Sequence, residues 1–286
     1  MVGPMSRKIV SVGTAGAAGS RGASCLLRED RGRVALLTLN RPESRNSLSE
    51  AMLNALLAAI EDISAAQRIS AIVIAAAPPA FCAGHDMREL TNRRSDPDQG
   101  RAFFEMLMRL CSSVMQAIVR CPKPVIAAVG GTASAAGCQL VASCDLAVAG
   151  ASARFATPGV NIGLFCSTPM VALSRNIGRK QAMEMLLLGE LVSAGQARDM
   201  GLVNRVVTDA DVLSEALAMA ERIASKSSAT VAIGKEAFYR QVEMPLAEAY
   251  EYASRVMTEN MLIRDAEEGI GAFLEKRTPR WEGGDD

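Results

Sequence analysis

The sequence predicts an α/β core followed by a helical C-terminal region. Three observations predict it. Short β-branched runs alternate with segments of helical period over the first two thirds of the chain. Glycine-containing turns directly follow two of those runs. From Val212 to Glu275 nearly every segment has helical period.

Taken in order, Ser24 to Arg28 and Arg33 to Leu39 read as strands, and the turn-forming Asp30-Arg31-Gly32 between them implies a hairpin. Asn40-Arg41-Pro42 breaks that pattern. Ser47-Leu48-Ser49-Glu50 has the form of a capping box and opens a helix with Met52, Leu53, Leu56, Leu57, Ile60 and Ile63 on its apolar face. Ala71 to Ala76 reads as a buried strand that Pro78-Pro79 ends, and Phe81 to Met87 as a loop. Gln99 to Arg120 reads as a helix with Phe103, Phe104, Leu107, Leu110, Val114 and Ile118 on one side. Val125 to Val129 is a buried strand ended by Gly130-Gly131, with a helix starting near Ala135 and a strand at Leu146 to Ala149. Ser193 to Gln196 forms a second capping box, Gly201 stops that short helix, and Leu202 to Val207 is the last strand. The last helix, Leu262 to Lys276, carries a stripe of Ile263, Ala266, Ile270 and Phe273 that needs a partner within the chain or from another subunit.

The chain has 286 residues, 49% hydrophobic and 22% charged, enough for one large core with an appendage. Lysine plus arginine equals aspartate plus glutamate at 31 each, which leaves no electrostatic footprint for a nucleic-acid partner. No uninterrupted apolar run reaches the length of about 20 residues that spans a bilayer. The seven cysteines include no C-x-x-C pair and sit mostly in apolar surroundings, as expected of free buried thiols in a reducing compartment. With one histidine, His85, no metal site of the usual Cys/His kind is expected. Residues 1–22 carry Arg7, Lys8 and Arg21 without an acid and are rich in Gly, Ala and Ser, which fits either a disordered tail or a mitochondrial transit segment.

Two turns carry the candidate chemistry. Phe81-Cys82-Ala83-Gly84-His85-Asp86-Met87 follows a strand, and Gly130 to Gln139 joins a strand to a helix. Small residues let a ligand approach the backbone, and the second turn aims helix N-terminal N–H groups outward. Two such turns facing each other would form an oxyanion hole; tight turns serving only packing explain the same residues.

These stretches resemble motifs of the crotonase (enoyl-CoA hydratase/isomerase) superfamily. Phe81 to Asp86 with Arg88-Glu89-Leu90 is similar to its first motif, and Pro124 to Val129 through Cys144-Asp145 to its second. Asn40-Arg41-Pro42 with Asn46-Ser47-Leu48 resembles the entry to its first long helix, Phe155-Ala156-Thr157-Pro158 its third motif, and Asp265 to Trp281 its last helix. Ala135 to Gln139 and Ala156 to Thr168 resemble in particular the group of enoyl-CoA hydratase domain-containing protein 3. The resemblance implies a crotonase-like spiral of ββα units at residues 23–208 and a helical oligomerisation region at 209–286. It implies that the N–H groups of His85 and Ala136 polarise an acyl-CoA thioester. Ala83 and Asp86 would wrap the adenine end of coenzyme A, and Arg45 and Arg88 would lie near its phosphates. Phe273 and Lys276 would contact it from a neighbouring subunit.

The implied ligand is the coenzyme A thioester itself, in fatty-acid metabolism, with no permanently bound cofactor, no nucleic acid and no membrane. The resemblance implies a homotrimer or a dimer of trimers. It implies the mitochondrial matrix as the compartment in a eukaryote and the cytoplasm in a bacterium.

Two departures stand out. The family's two hydratase glutamates fall at Gln139 and Gly159. Neither an amide nor a hydrogen can act as a base, and each lost proton transfer costs on the order of 100- to 10,000-fold. Asn161 to Thr168 supplies no carboxylate either. Cys166 as a nucleophile or as an inert thiol, Gln139 as a ligand contact or as structure, and the His85 ring as an actor or as packing are the alternatives at the acyl end. The expectation is an acyl-CoA binder, non-catalytic or acting by enolate stabilisation as in decarboxylation of a malonyl-type thioester.

Overall fold

The computed structural model describes Ile9–Ser11 and residues 24–281. Within the segment expected to be a tail, β1 (Ile9–Ser11) pairs antiparallel with β2 (Leu26–Arg31). The rest of that segment lies outside the described residues. The hairpin from β2 to β3 (Val34–Leu39) turns through Gly32, whose φ of +56° suits glycine.

The large sheet runs β1-β2-β3-β4-β6-β8-β11, with β4 at Ala71–Ala76, β6 at Val125–Val129, β8 at Leu146–Gly150 and β11 at Arg205–Val207. From β3 onward all pairings are parallel. A parallel sheet buried on both faces needs near-continuous apolar runs. Here successive residues alternate between two cores. Ala35, Leu37, Ile72, Ile74, Val125, Ala127 and Val129 face one core, shared with helices α1 (Glu50–Ala65) and α3 (Arg101–Arg120). Val34, Leu36, Val73, Ile126 and Val148 face the other, closed by Val212, Ala216, Ala220 and Ala224 of α8 (Val212–Ala224). By packing, the first helix after residue 208 therefore serves the core.

A smaller sheet, β10-β9-β7-β5, carries the turns of interest. It comprises β5 (Ala80–Cys82), β7 (Thr132–Ser134), β9 (Arg154–Ala156) and β10 (Val192–Ser193). The expected loop at 81–87 thus begins as a strand and ends in the short helix α2 (Met87–Asn92).

Two local expectations need correction. The cap of α1 is Ser49, which accepts from Met52 N at 3.2 Å, while Ser47 donates to Asp86 instead. The buried face of α3 is Leu107, Cys111, Val114, Met115 and Ile118, so Phe103, Phe104 and Leu110 lie at its margin. This helix is long and apolar enough by length and composition to cross a membrane, but one face packs on α1 inside the core. The capping box at Ser193 and Gln196 forms on α7 (Ala194–Met200), and Gly201 ends it at φ +91°.

The remaining helices are α4 (Ala136–Ser143), α5 (Ser167–Asn176), α6 (Arg179–Leu188), α9 (Ser228–Gln241), α10 (Leu246–Leu262) and α11 (Arg264–Glu275). A buried polar network ties α9 to the core. Lys235, 7% exposed, donates to Asp145 at 2.7 Å and to the carbonyls of Ile118 and Lys123. Asp145 also accepts from Tyr239 Oη at 2.9 Å and from Val125 N at 2.7 Å. The stripe on α11 stays open: Ile270 and Phe273 are exposed, with Leu274 beside them.

Candidate active site

The three motifs meet at one edge. Strands β5, β7 and β9 run parallel, with a register shift between Ala80 and Cys82, so that Cys82 lies opposite Ala133, Ala133 opposite Phe155 and Ser134 opposite Ala156. Their carboxyl ends therefore deliver Ala83–Asp86, Ala135–Ala136 and Thr157–Gly159 side by side. Ligand sites of α/β sheets form at that edge, because the strand-to-helix turns gather there.

The first two turns are pressed together. Gly84, at φ +97°, lies so close that an added Cβ would sit 3.0 Å from Ala135 Cβ and 3.1 Å from Ser134 O. Gly137 lies directly on the Cys82 backbone, where a Cβ would overlap the Cys82 carbonyl. Ala135 adopts φ +49° and ψ −117°, a conformation that costs an L residue energy and is held by its N–H donating to Ala156 O at 2.9 Å. This bend turns the chain into α4, and Ala136 becomes its first residue. Its N–H has no carbonyl available within the helix.

His85 sits beside Leu48 in a parallel bridge. Leu48 N donates to Gly84 O at 2.8 Å and Asp86 N donates to Leu48 O at 3.3 Å. In that pattern the N–H of the bridged residue points to the opposite side, away from Leu48. The turn carrying the His85 N–H and the one carrying the Ala136 N–H thus lie against each other.

The end expected to hold the acyl group is polar but not acidic. Gln139 is buried, one turn along α4, with its amide oxygen 4.0 Å from the Cys111 thiol. Both His85 ring nitrogens and Thr157 Oγ1 are buried without a hydrogen-bond partner among the described residues. Burial pushes the His85 pKa below its ordinary value and the Leu48 carbonyl opposes it weakly, so the ring is neutral near pH 7.

Gly159 is more than a missing carboxylate. A Cβ there would lie 2.7 Å from Leu164 O and 3.0 Å from Cys166 Sγ, so the thiol and the returning loop fill the space a side chain would need. Cys166 is 7% exposed, and burial raises its pKa against the Gly159 backbone contact that lowers it. That describes a packed thiol more than an activated nucleophile. The Cys82, Cys111 and Cys138 thiols are pushed up to about 12 by burial, and all seven cysteines are free.

The acids nearest in sequence are engaged elsewhere. Asp86 pairs with Arg41 at 3.1 Å and caps α2 through Arg88 N; burial opposes these contacts, which leave its pKa lowered. Glu89 accepts from Glu50 N at 3.0 Å. No group of three His, Cys, Asp or Glu among the described residues could hold a metal.

Of the residues expected at the coenzyme end, Arg45, Ala83 and Arg88 are exposed around this edge, and Ala83 N donates to Arg45 O at 3.0 Å. Phe273 and Lys276 are not brought there within the chain. They lie at the end of α11, which packs on α9 and α10, and the Phe273 ring is 82% exposed. Sequence reasoning missed Thr157 and the Arg41–Asp86 pair. The signal for Thr157 was a lone hydroxyl between Ala156 and Pro158.

The enoyl-CoA hydratase/isomerase family model matches residues 29–284. Enoyl-CoA hydratase domain-containing protein 3, mitochondrial, of Mus musculus is 44% identical over 280 residues, covering 97% of this chain and 91% of its own length. The Homo sapiens protein of that name is 47% identical over 245 residues, covering 86% of this chain and 79% of its own. The crystal structure of the human protein superposes with a TM-score of 0.86 at 45% identity, covering 90% of this chain and 100% of that one. An enoyl-CoA hydratase structure from Mycobacterium smegmatis gives 0.85 at 52% identity, covering 90% and 98%. The family match spans all three turns, and the chain belongs to the enoyl-CoA hydratase/isomerase family.

Proposed function

We propose that this chain binds an acyl-CoA in fatty-acid metabolism, holding the thioester oxygen between the N–H groups of His85 and Ala136. One observation carries the proposal: Gly84 and Ala135 are pressed together so closely that the turns bearing both donors must sit side by side. Donors fixed in place stabilise charge as it develops on that oxygen without having to reorganise. The neighbouring residues then take the roles their chemistry suits. Exposed Arg45 and Arg88 attract the coenzyme's phosphates. The Ala83–Asp86 loop lines the adenine end, with the Asp86 carboxylate committed to Arg41.

Phe273 and Lys276 complete the coenzyme site from a neighbouring subunit in a trimer or a dimer of trimers. Exposed Tyr250, Met257, Met261, Leu262 and Leu274 support that assembly, since large apolar side chains left in solvent on the last two helices favour a partner. The mouse and human relatives are named as mitochondrial proteins, which supports the matrix for a eukaryotic source and leaves the cytoplasm for a bacterial one.

Two-glutamate hydration is not the activity. Gln139 has no base, and Gly159 has no room for one. An oxyanion hole without a base still serves enolate chemistry, in which a carboxylate leaves a malonyl-type thioester as carbon dioxide. It equally serves binding alone.

Titration with coenzyme A and with butyryl-CoA labelled with carbon-13 at the carbonyl tests the site. Tighter binding of the thioester and a downshifted carbonyl stretch are expected. An unshifted stretch refutes the oxyanion hole. Mass spectrometry after incubation with crotonyl-CoA, a 3-enoyl-CoA and methylmalonyl-CoA separates the chemistries. Hydration of crotonyl-CoA near the typical enzyme turnover of about 10 per second refutes the missing-base account.

A further inference from the structure

A helix that ends in a left-handed residue usually places glycine there, because a Cβ is strained in that conformation. After α11 the position holds Lys276, at φ +56° and ψ +40°. A non-glycine residue keeps such a conformation only where its surroundings over-determine it, and residues of this kind gather at ligand sites. Three residues earlier the Phe273 ring is 82% exposed.

A fold-back holds Lys276. Past it the chain reverses along α11, and Arg277 N donates to Ala272 O at 3.0 Å. The Arg277 guanidinium donates to the Glu268 carboxylate through both Nη atoms, at 2.6 and 2.9 Å, and to Glu275 through Nε at 2.6 Å. Arg280 N donates to the same Glu268 at 2.7 Å. These contacts, the guanidinium first, hold the Glu268 carboxyl down to about 2, so the pair is fully charged near neutral pH. The Trp281 ring lies on Gly269, where an added Cβ would sit 3.2 Å from two ring carbons, and its Nε1 donates to Ser225 O at 2.9 Å. Ser225 ends α8, and Ser227, which caps α9, donates to the buried Asp265 at the start of α11. Both ends of α11 are thus tied to the turn between α8 and α9, and α8 is packed on the large sheet.

We propose that Glu268, Arg277 and Trp281 form a positioning clamp that presents Phe273 and Lys276 in a fixed pose to the adenine nucleotide end of coenzyme A on a neighbouring subunit. The inference rests on the coenzyme site proposed above. A clamp serving only to finish the helix would do so better with glycine at 276. The Arg277 and Glu268 side chains are 42% and 21% exposed, and an ion pair that open contributes little to folding. A ring and an ammonium held in advance lose less freedom when the ligand arrives, which tightens binding.

The test is calorimetric titration of the full chain with butyryl-CoA and with butyryl-pantetheine, which lacks the adenine nucleotide. Light scattering checks that each variant keeps the wild-type assembly. Arg277→Met and Trp281→Ala should each lower the ratio of the two affinities about fivefold or more, with butyryl-pantetheine affinity unchanged within about twofold. Trp281→Phe keeps the packing on Gly269 and should retain most of the ratio. In a Phe273→Ala, Lys276→Met background, Arg277→Met should lower the ratio no further, because the clamp then has nothing to position. An unchanged ratio in both single variants overturns the inference. So does an undiminished effect of Arg277→Met in that background. Failure of the underlying coenzyme site has a different signature, in which Phe273→Ala with Lys276→Met alone leaves the ratio at its wild-type value. Where Arg277→Met or Trp281→Ala fails to fold or assemble, Arg277→Lys decides. It keeps the charge and loses the two-pronged grip, so part of the ratio should go, and a full wild-type ratio counts against the clamp.

Discussion

Replacing Gly84 with alanine puts the central contact under direct load. Gly84 has φ +97°, so any side chain pays a conformational penalty of roughly 1–2 kcal/mol. The new methyl would lie 3.0 Å from Ala135 Cβ and 3.1 Å from Ser134 O. Carbon atoms prefer about 3.5–4.0 Å, so the two turns must part by roughly half an ångström or more. Overpacking of this kind adds about 1–3 kcal/mol, for a total near 2–5 kcal/mol. Gly130→Ala is the control, because a Cβ there meets nothing within 4 Å and φ is not positive.

Urea denaturation of both variants measures the stability difference at fixed m. The functional consequence is read separately. Parting the turns separates the two N–H donors, so the preference for butyryl-CoA over coenzyme A should fall several-fold. The bound carbonyl stretch should move back toward that of the free thioester. If Gly84→Ala is as stable as Gly130→Ala, the close approach is not what holds the turns. If its carbonyl stretch is unchanged, the donors are not on these turns.

Other outcomes follow from the same geometry. Lys235→Met leaves Asp145 buried without its cation and two carbonyls without a donor, and should cost about 3–5 kcal/mol in urea denaturation, with α9 the first segment to lose amide-exchange protection. Gly159→Glu, alone or with Gln139→Glu, should destabilise the 158–166 segment and gain no hydration, because its Cβ meets Leu164 O at 2.7 Å; crotonyl-CoA turnover by that variant would contradict the packing. His85 has a folded pKa below its ordinary 6.5, so the unfolded chain takes up the proton first. Its contribution to stability is therefore fully present above about pH 6.5 and is lost as the pH falls through the lower folded value. His85→Phe should flatten the decline in denaturation midpoint between pH 7 and 5, and an equally steep decline in that variant would assign the titration to another group.

Much of the fold was legible in the chain. The runs Ala71 to Ala76 and Val125 to Val129 are strands of those bounds, because a sheet buried on both faces leaves its residues no polar alternative. Gly201 and the Ser193–Gln196 pair act locally, so their effects could be read without tertiary contacts. The α1 cap was misplaced because two serines compete at Ser47 and Ser49, and a distant partner, Asp86, takes the first. The face of α3 was displaced because Phe103 and Phe104 satisfy the same periodicity as its buried residues. Lys235, Asp145 and Tyr239 carry no local signature, since their pairing spans some 90 residues of chain.

The sequence by itself determined the alternation that buries the large sheet, the small residues that permit close backbone approach, and the lack of a carboxylate at 139 and 159. Only the tertiary structure decided that Gly84 touches Ala135, that Thr157 joins them, and that Cys166 fills the space beside Gly159. The physical reason is that parallel strands are joined by long crossovers. Residues some 50 apart along the chain become neighbours through register, which local periodicity does not encode.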